Sequence, residues 1–140
     1  MVWNGHLNDR RKNAANGQEI LVIDDDPLMR DLITDWLEGA GYRVLKATDC
    51  SAACTALERA PALVVSDMWM PGPCGAAAIA FLKEKCPEMR LIAVSGHFGS
   101  GQGTTPQDAM KAGAARALAK PVKRAELLSA VAELIGAPQK

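Results

Sequence analysis

Three aspartates in a row, Asp24, Asp25 and Asp26, follow the apolar run Ile20-Leu21-Val22-Ile23, and a fourth, Asp67, follows the run at residues 62–66. Ser95 and Gly96 end a third run, at residues 90–94, and Lys120-Pro121 ends a fourth, at residues 115–119. Carboxylates held close together repel one another, at a cost unless a cation neutralises them. Hard oxygen ligands suit Mg2+, which takes one or two carboxylates together with waters and a phosphate oxygen. A lysine ammonium is a point charge suited to phosphate, and a serine hydroxyl hydrogen-bonds a phosphoryl oxygen. The set points to Mg2+-dependent phosphoryl chemistry. No glycine follows the first run and no G-x-x-x-x-G-K-[ST] occurs, so the Gly-rich cradle of a nucleotide enzyme is missing. One carboxylate is then the expected phosphoryl acceptor. Asp67, alone at the end of its run, is the candidate.

These residues need elements to carry them. The chain of 140 residues is the size of one domain and long enough for a core without disulfide staples. With 16 basic and 16 acidic side chains the net charge is zero, which argues against direct nucleic-acid or membrane-surface binding. Apolar runs of a few residues fall far short of the about 20 that span a bilayer, and the polar N-terminus lacks the apolar core of a secretory signal. A cytoplasmic location is expected. Residues 1–18, with the cluster Arg10-Arg11-Lys12, read as a flexible polar arm, and Trp3 has no context there. Cys50, Cys54, Cys74 and Cys86 contain no C-x-x-C and read as small buried hydrophobes.

From residue 19 onward, short apolar runs alternate with helical patterns. Strands are expected at residues 20–23, 43–47, 62–66, 90–94 and 115–119. Helices are expected from Pro27, over 51–59, 75–85 and 106–112, and from about Lys123 to Ile135. Asp26-Pro27 is a helix start, with a capping carboxylate and a proline in the first turn. Leu28, Met29, Leu32, Ile33, Trp36 and Leu37 repeat at helical spacing, and Gly39 and Gly41 close that helix. Leu127, Leu128, Val131, Leu134 and Ile135 share a stripe on the last one. Five βα units in succession imply a doubly wound α/β domain, a parallel sheet covered by helices on both faces. Ligands of such sheets bind at the carboxyl ends of the strands, where the acids, the serine and the lysine all fall.

In this order the motifs resemble the receiver domain of two-component response regulators, over residues 19 to about 137. The resemblance rests on Ile20 to Pro27 (ILVIDDDP), Asp67 to Gly72 (DMWMPG), Val94-Ser95-Gly96 and Ala119-Lys120-Pro121. It implies a flavodoxin-like (βα)5 fold with strand order 2-1-3-4-5. It implies that Asp67 accepts a phosphoryl group from a phosphohistidine, supplied by a sensor histidine kinase or a histidine phosphotransfer protein. Asp24, Asp25, Asp67 and the backbone carbonyl of Trp69 would hold Mg2+, Ser95 and Lys120 would bind phosphoryl oxygens, and the peptide before Pro121 would be cis. The chain would be a self-phosphorylating and self-dephosphorylating switch rather than a turnover enzyme. With no output domain after the receiver, it would act by binding a downstream protein or relaying phosphate. The surface of the fourth and fifth helices leaves a homodimer open.

Departures from the family pattern concern the switch. Where the family carries an aromatic residue three positions before the lysine, this chain has Ala117, which predicts an atypical output. The loop from His97 to Thr105 (HFGSGQGTT) carries three glycines and is expected to be mobile. Trp69 and His97 flank the site at positions expected to tune phosphoryl lifetime, Gly96 and Pro121 join Ala117 as expected switch residues, and Met68 and Met70 read as packing residues. Two rivals stand beside this reading. One is a phosphorylation-independent protein-binding module on a receiver fold, which Ala117 favours and the complete set of Asp24, Asp25, Asp67, Ser95 and Lys120 opposes. The other is an aspartyl-nucleophile phosphatase, which would need a second acid where Trp69 stands.

Overall fold

The computed structural model describes residues 18–68, 75–96 and 105–138. Five strands, β1 (Glu19–Ile23), β2 (Arg43–Ala47), β3 (Leu63–Asp67), β4 (Arg90–Ser95) and β5 (Arg116–Ala119), alternate with five helices. The helices are α1 (Pro27–Ala40), α2 (Cys50–Leu57), α3 (Gly75–Lys85), α4 (Pro106–Ala112) and α5 (Arg124–Ile135). All strand pairs are parallel and the sheet order is β2-β1-β3-β4-β5, the doubly wound order that the family resemblance implies. The central strands β1 and β3 are buried throughout, which explains their nearly unbroken apolar runs. The edge strands β2 and β5 carry Arg43, Lys46 and Arg116 and are partly exposed, as strands with one unpaired side must be to discourage edge-to-edge association.

Each sheet face has its own core. Ile20, Val22, Leu63, Val65, Ile92 and Val94 meet Ile33 and Leu37 of α1 and Leu127 and Val131 of α5. The opposite face packs Leu21, Ile23, Val64, Leu91 and Ala93 against α2, α3 and α4 through Ala53, Ile79, Leu82 and Ala109. The alternation of strand side chains between faces produces this division.

Local chemistry sets the helix ends. The Asp26 carboxylate accepts from the Leu28 amide at 3.0 Å, with Pro27 in the first turn. Thr105 and Asp108 form a reciprocal capping box at the start of α4. Gly41, at φ 111°, supplies the left-handed residue that ends α1, whereas Gly39 lies inside the last turn rather than closing it. A side chain at Gly41 would also meet the Pro138 ring at 3.1 Å. At the end of α5, Gln18 Nε2 donates to the carbonyls of Ile135 at 2.7 Å and Ala137 at 3.3 Å. The Tyr42 hydroxyl donates to the Gly136 carbonyl at 2.8 Å, so carbonyls with no partner inside the helix are satisfied by the other end of the fold. Buried Glu19 pairs with the Arg59 guanidinium at this same edge, and that carboxylate holds the guanidinium above its usual pKa.

Two expectations about packing need correction. Leu28 and Leu32 fall in the apolar repeat of α1, yet they are 81% and 42% exposed. The sheet covers only the arc centred on Ile33 and Leu37, so an apolar stripe wider than that arc leaves its outer members in solvent. Cys54 and Cys86 are of intermediate exposure rather than fully buried hydrophobes. Cys54 lines a shallow cavity of about 260 Å3 with Leu57, Glu58 and Lys85, between α2 and the end of α3.

Candidate functional site

Parallel register builds the site one residue beyond each strand pair. Ile23 pairs with Ser66, which brings the following residues, Asp24 and Asp67, side by side. Asp67 in turn pairs with Val94, so Ser95 follows on the next strand, and Ser95 pairs with Ala119, which places Lys120 at the end of β5. The Lys120 amide donates to the Ser95 carbonyl at 3.0 Å, continuing the ladder past the last residue of β5. Four chain segments thus deliver their polar residues to one edge of the sheet.

The carboxylates of Asp24, Asp25 and Asp67 each offer an oxygen, and these oxygens lie within 4.8 Å of one another. Asp24 and Asp67 are buried, whereas Asp25 faces solvent. Lys120 Nζ lies 3.4 Å from Asp24 Oδ2 and 3.5 Å from Asp67 Oδ2, its side chain mostly covered. Among the described residues, Lys120 is the cation within ion-pair distance of this carboxylate cluster. Carboxylates held this close repel one another, and an all-oxygen donor set suits a small hard divalent cation. Asp24 is further fixed by the Asp26 amide, which donates to its Oδ1 at 2.9 Å.

Ser95 is buried at the end of β4, and the exposed Gly96 follows it. The Lys120–Pro121 peptide is cis and Pro121 is exposed. Ala117 pairs with Ala93 of β4 and packs, partly buried, on the core formed with α2, α3 and α4. Met68 is buried, in keeping with a packing role. Trp69, Met70, Cys74, His97, most of the loop up to Thr105 and residues 1–17 of the expected arm lie outside the described residues, whereas Gln18, the last residue read into that arm, is buried and bonded to the end of the last helix rather than flexible.

Sequence reasoning missed Arg30. Its Nη1 donates to the main-chain carbonyl of Asp24 at 2.9 Å. The available signal was its position, the fourth residue of α1. A cation near a helix N-terminus opposes the macrodipole by about 0.3–1 kcal/mol, so an arginine there calls for a compensating partner.

The sequence profile of the response regulator receiver domain matches residues 20–132. The chain belongs to this family. The receiver is 34% identical over 114 residues to the C4-dicarboxylate transport transcriptional regulatory protein DctD of Pseudomonas aeruginosa, covering 81% of this chain and 24% of that protein. It is 34% identical over 118 residues to the transcriptional regulatory protein FixJ of Azorhizobium caulinodans, covering 82% of this chain and 54% of that one. The chain thus spans between a quarter and about half of the length of these curated relatives. Among solved structures, the receiver domain of NtrX from Brucella abortus superposes with a TM-score of 0.75 at 32% identity, over 83% of this chain and 97% of that one. Among the described residues of this receiver, no helix is long and apolar enough to cross a membrane.

Proposed function

We propose that this receiver is the phosphoacceptor switch of a two-component phosphorelay, with Asp67 as the acceptor. The observation that carries the reading is the cluster of three carboxylates with Lys120 within ion-pair distance of the two buried ones. In the proposed transfer, a carboxylate oxygen of Asp67 attacks the phosphorus of a phosphohistidine. The P–N bond breaks, its electron pair returns to the imidazole nitrogen, and Asp67 becomes an aspartyl phosphate. Asp24, Asp25 and Asp67, with the Trp69 carbonyl as the further ligand the family implies, would hold Mg2+, which when bound offsets negative charge on the phosphoryl oxygens. The Lys120 ammonium, already beside Asp67, is placed to pair with a phosphoryl oxygen, and the Ser95 hydroxyl to donate to another. Water later adds at phosphorus, the bond to Asp67 breaks, and the carboxylate is regenerated with release of inorganic phosphate. The chain is thus a self-resetting acceptor and not a turnover enzyme, and we place it in the cytoplasm.

A sensor histidine kinase or a histidine phosphotransfer protein is the proposed donor. Leu28 and Leu32, exposed on the first turns of α1 just past Asp24–Asp26, offer apolar area for such a partner. Output would pass to a downstream protein.

The test is intact mass after incubation with Mg2+ and acetyl phosphate. One phosphoryl group is expected on the wild type, none on Asp67→Asn, and none when Mg2+ is chelated beforehand. No addition to the wild type would overturn the switch and leave the protein-binding module that Ala117 favours.

A further inference from the structure

Asp24 and Asp25 are joined by one peptide unit, and that unit carries two of the three clustered carboxylates. Asp24 is held at four atoms. Its amide donates to the Ala47 carbonyl at 3.1 Å, and its Oδ1 accepts from the Asp26 amide at 2.9 Å. Its Oδ2 faces Lys120 at 3.4 Å, and its carbonyl oxygen accepts from Arg30 Nη1 at 2.9 Å. The first three of these fix the amide and the side chain. Among the described residues, Arg30 is the side chain that holds the Asp24 carbonyl, and together with the Asp26 amide, which closes a turn across Asp25 onto Asp24 Oδ1, it sets the plane of the peptide leading into Asp25. Rotation of that plane would swing the exposed Asp25 carboxylate while Asp24 stayed in place, changing the distance between their oxygens.

We propose that Arg30 is a positioning residue of the acidic site: by holding the Asp24 carbonyl it sets where Asp25 stands relative to Asp24 and Asp67, and thereby the affinity of the site for a divalent cation. The proposal rests on the reading of that cluster as a Mg2+ site. Groups that orient metal ligands from behind affect affinity strongly even though they never touch the ion. The alternative roles predict different signs. A guanidinium acting only through its charge would repel Mg2+, so its removal would tighten binding. A merely structural arginine would change stability and leave affinity alone.

The experiment is calorimetric titration of the 140-residue chain with Mg2+ for the wild type, Arg30→Ala, Arg30→Lys and Arg30→Gln, with a thermal melt of each in chelator. Positioning predicts binding about tenfold weaker in Arg30→Ala, with much of the loss recovered by Arg30→Lys and Arg30→Gln, which keep a donor on the side chain. The glutamine variant separates the hydrogen bond from the charge, and both conservative variants serve if the alanine variant does not fold. Binding unchanged or tightened across the series, or a lower melting temperature with unchanged affinity, would overturn the proposal. A wild type that binds no Mg2+ would overturn the metal-site reading and this inference with it. A wild type that binds Mg2+ and takes up phosphoryl, beside variants of equal affinity, would overturn this inference alone.

Discussion

Tyr42 is the single tyrosine of the sequence, which makes its ionisation directly observable. Its hydroxyl donates to the Gly136 carbonyl, and burial raises its pKa above the ordinary value of 10.0. A phenolate there would lose hydration and face a carbonyl oxygen instead of donating to it. The folded pKa lies above the unfolded one, so the contribution of this group is complete below the unfolded pKa. It is lost as pH rises through the folded value. Urea midpoints are therefore expected to hold as pH approaches about 10 from below and to fall beyond it. Tyr42→Phe should cost about 1 kcal/mol at neutral pH and flatten that alkaline fall. An absorbance titration showing the phenol ionising at its ordinary pKa would contradict this account.

At the scale of the element, α1 has two apolar faces with different work. Ile33 and Leu37 are sealed against the sheet and α5, whereas Leu28 and Leu32 stand in solvent beside the acidic residues. Ile33→Ala should destabilise by about 2–5 kcal/mol, the usual cost of a buried large-to-small change. Leu28→Ala should stay within about 0.5 kcal/mol of wild type, as exposed substitutions do. If the outer face receives the phosphodonor protein, Leu28→Ala will slow transfer from a phosphohistidine partner while leaving uptake from acetyl phosphate unchanged. Equal rates from both donors would remove α1 from the docking surface.

The whole molecule joins the acidic edge to global stability. Each of the four segments that build the site is anchored in a core on one or both sheet faces, so the cluster exists only when the sheet is assembled. Anything that binds it binds the native state and stabilises it, by about 2.7 kcal/mol at a hundredfold excess over Kd. Mg2+ with beryllofluoride, a mimic of the phosphoryl group, is expected to raise the melting temperature by several degrees, and Asp67→Asn should abolish the part that needs beryllofluoride. An equal rise in both proteins would place the binding elsewhere. Ala117 belongs to this scale too. With a methyl group opposite Ala93, the described part of β5 carries no ring through which events at Ser95 could move the surface.

The succession of strands and helices was legible because each apolar run is bounded by chemistry that acts locally. Asp26-Pro27 opens α1, Gly41 ends it, and the run at residues 43–47 matches β2 residue for residue. The acidic, hydroxyl and basic residues could be named from sequence because parallel strands send whatever follows them to the same edge. Contacts beyond the range of local rules were not legible. The bond from Arg30 to Asp24 ends on a backbone oxygen, so the place of the arginine at the start of α1 signalled the need for a partner without naming one. The exposure of Leu28 and Leu32 depends on how wide an arc of α1 the sheet covers, which periodicity does not contain. Sequence alone determined the elements and named the acids, the serine and the lysine at the ends of the strands, through propensity and period. Tertiary structure decided which atoms meet, because sheet register and helix docking are set by packing between segments far apart in the chain.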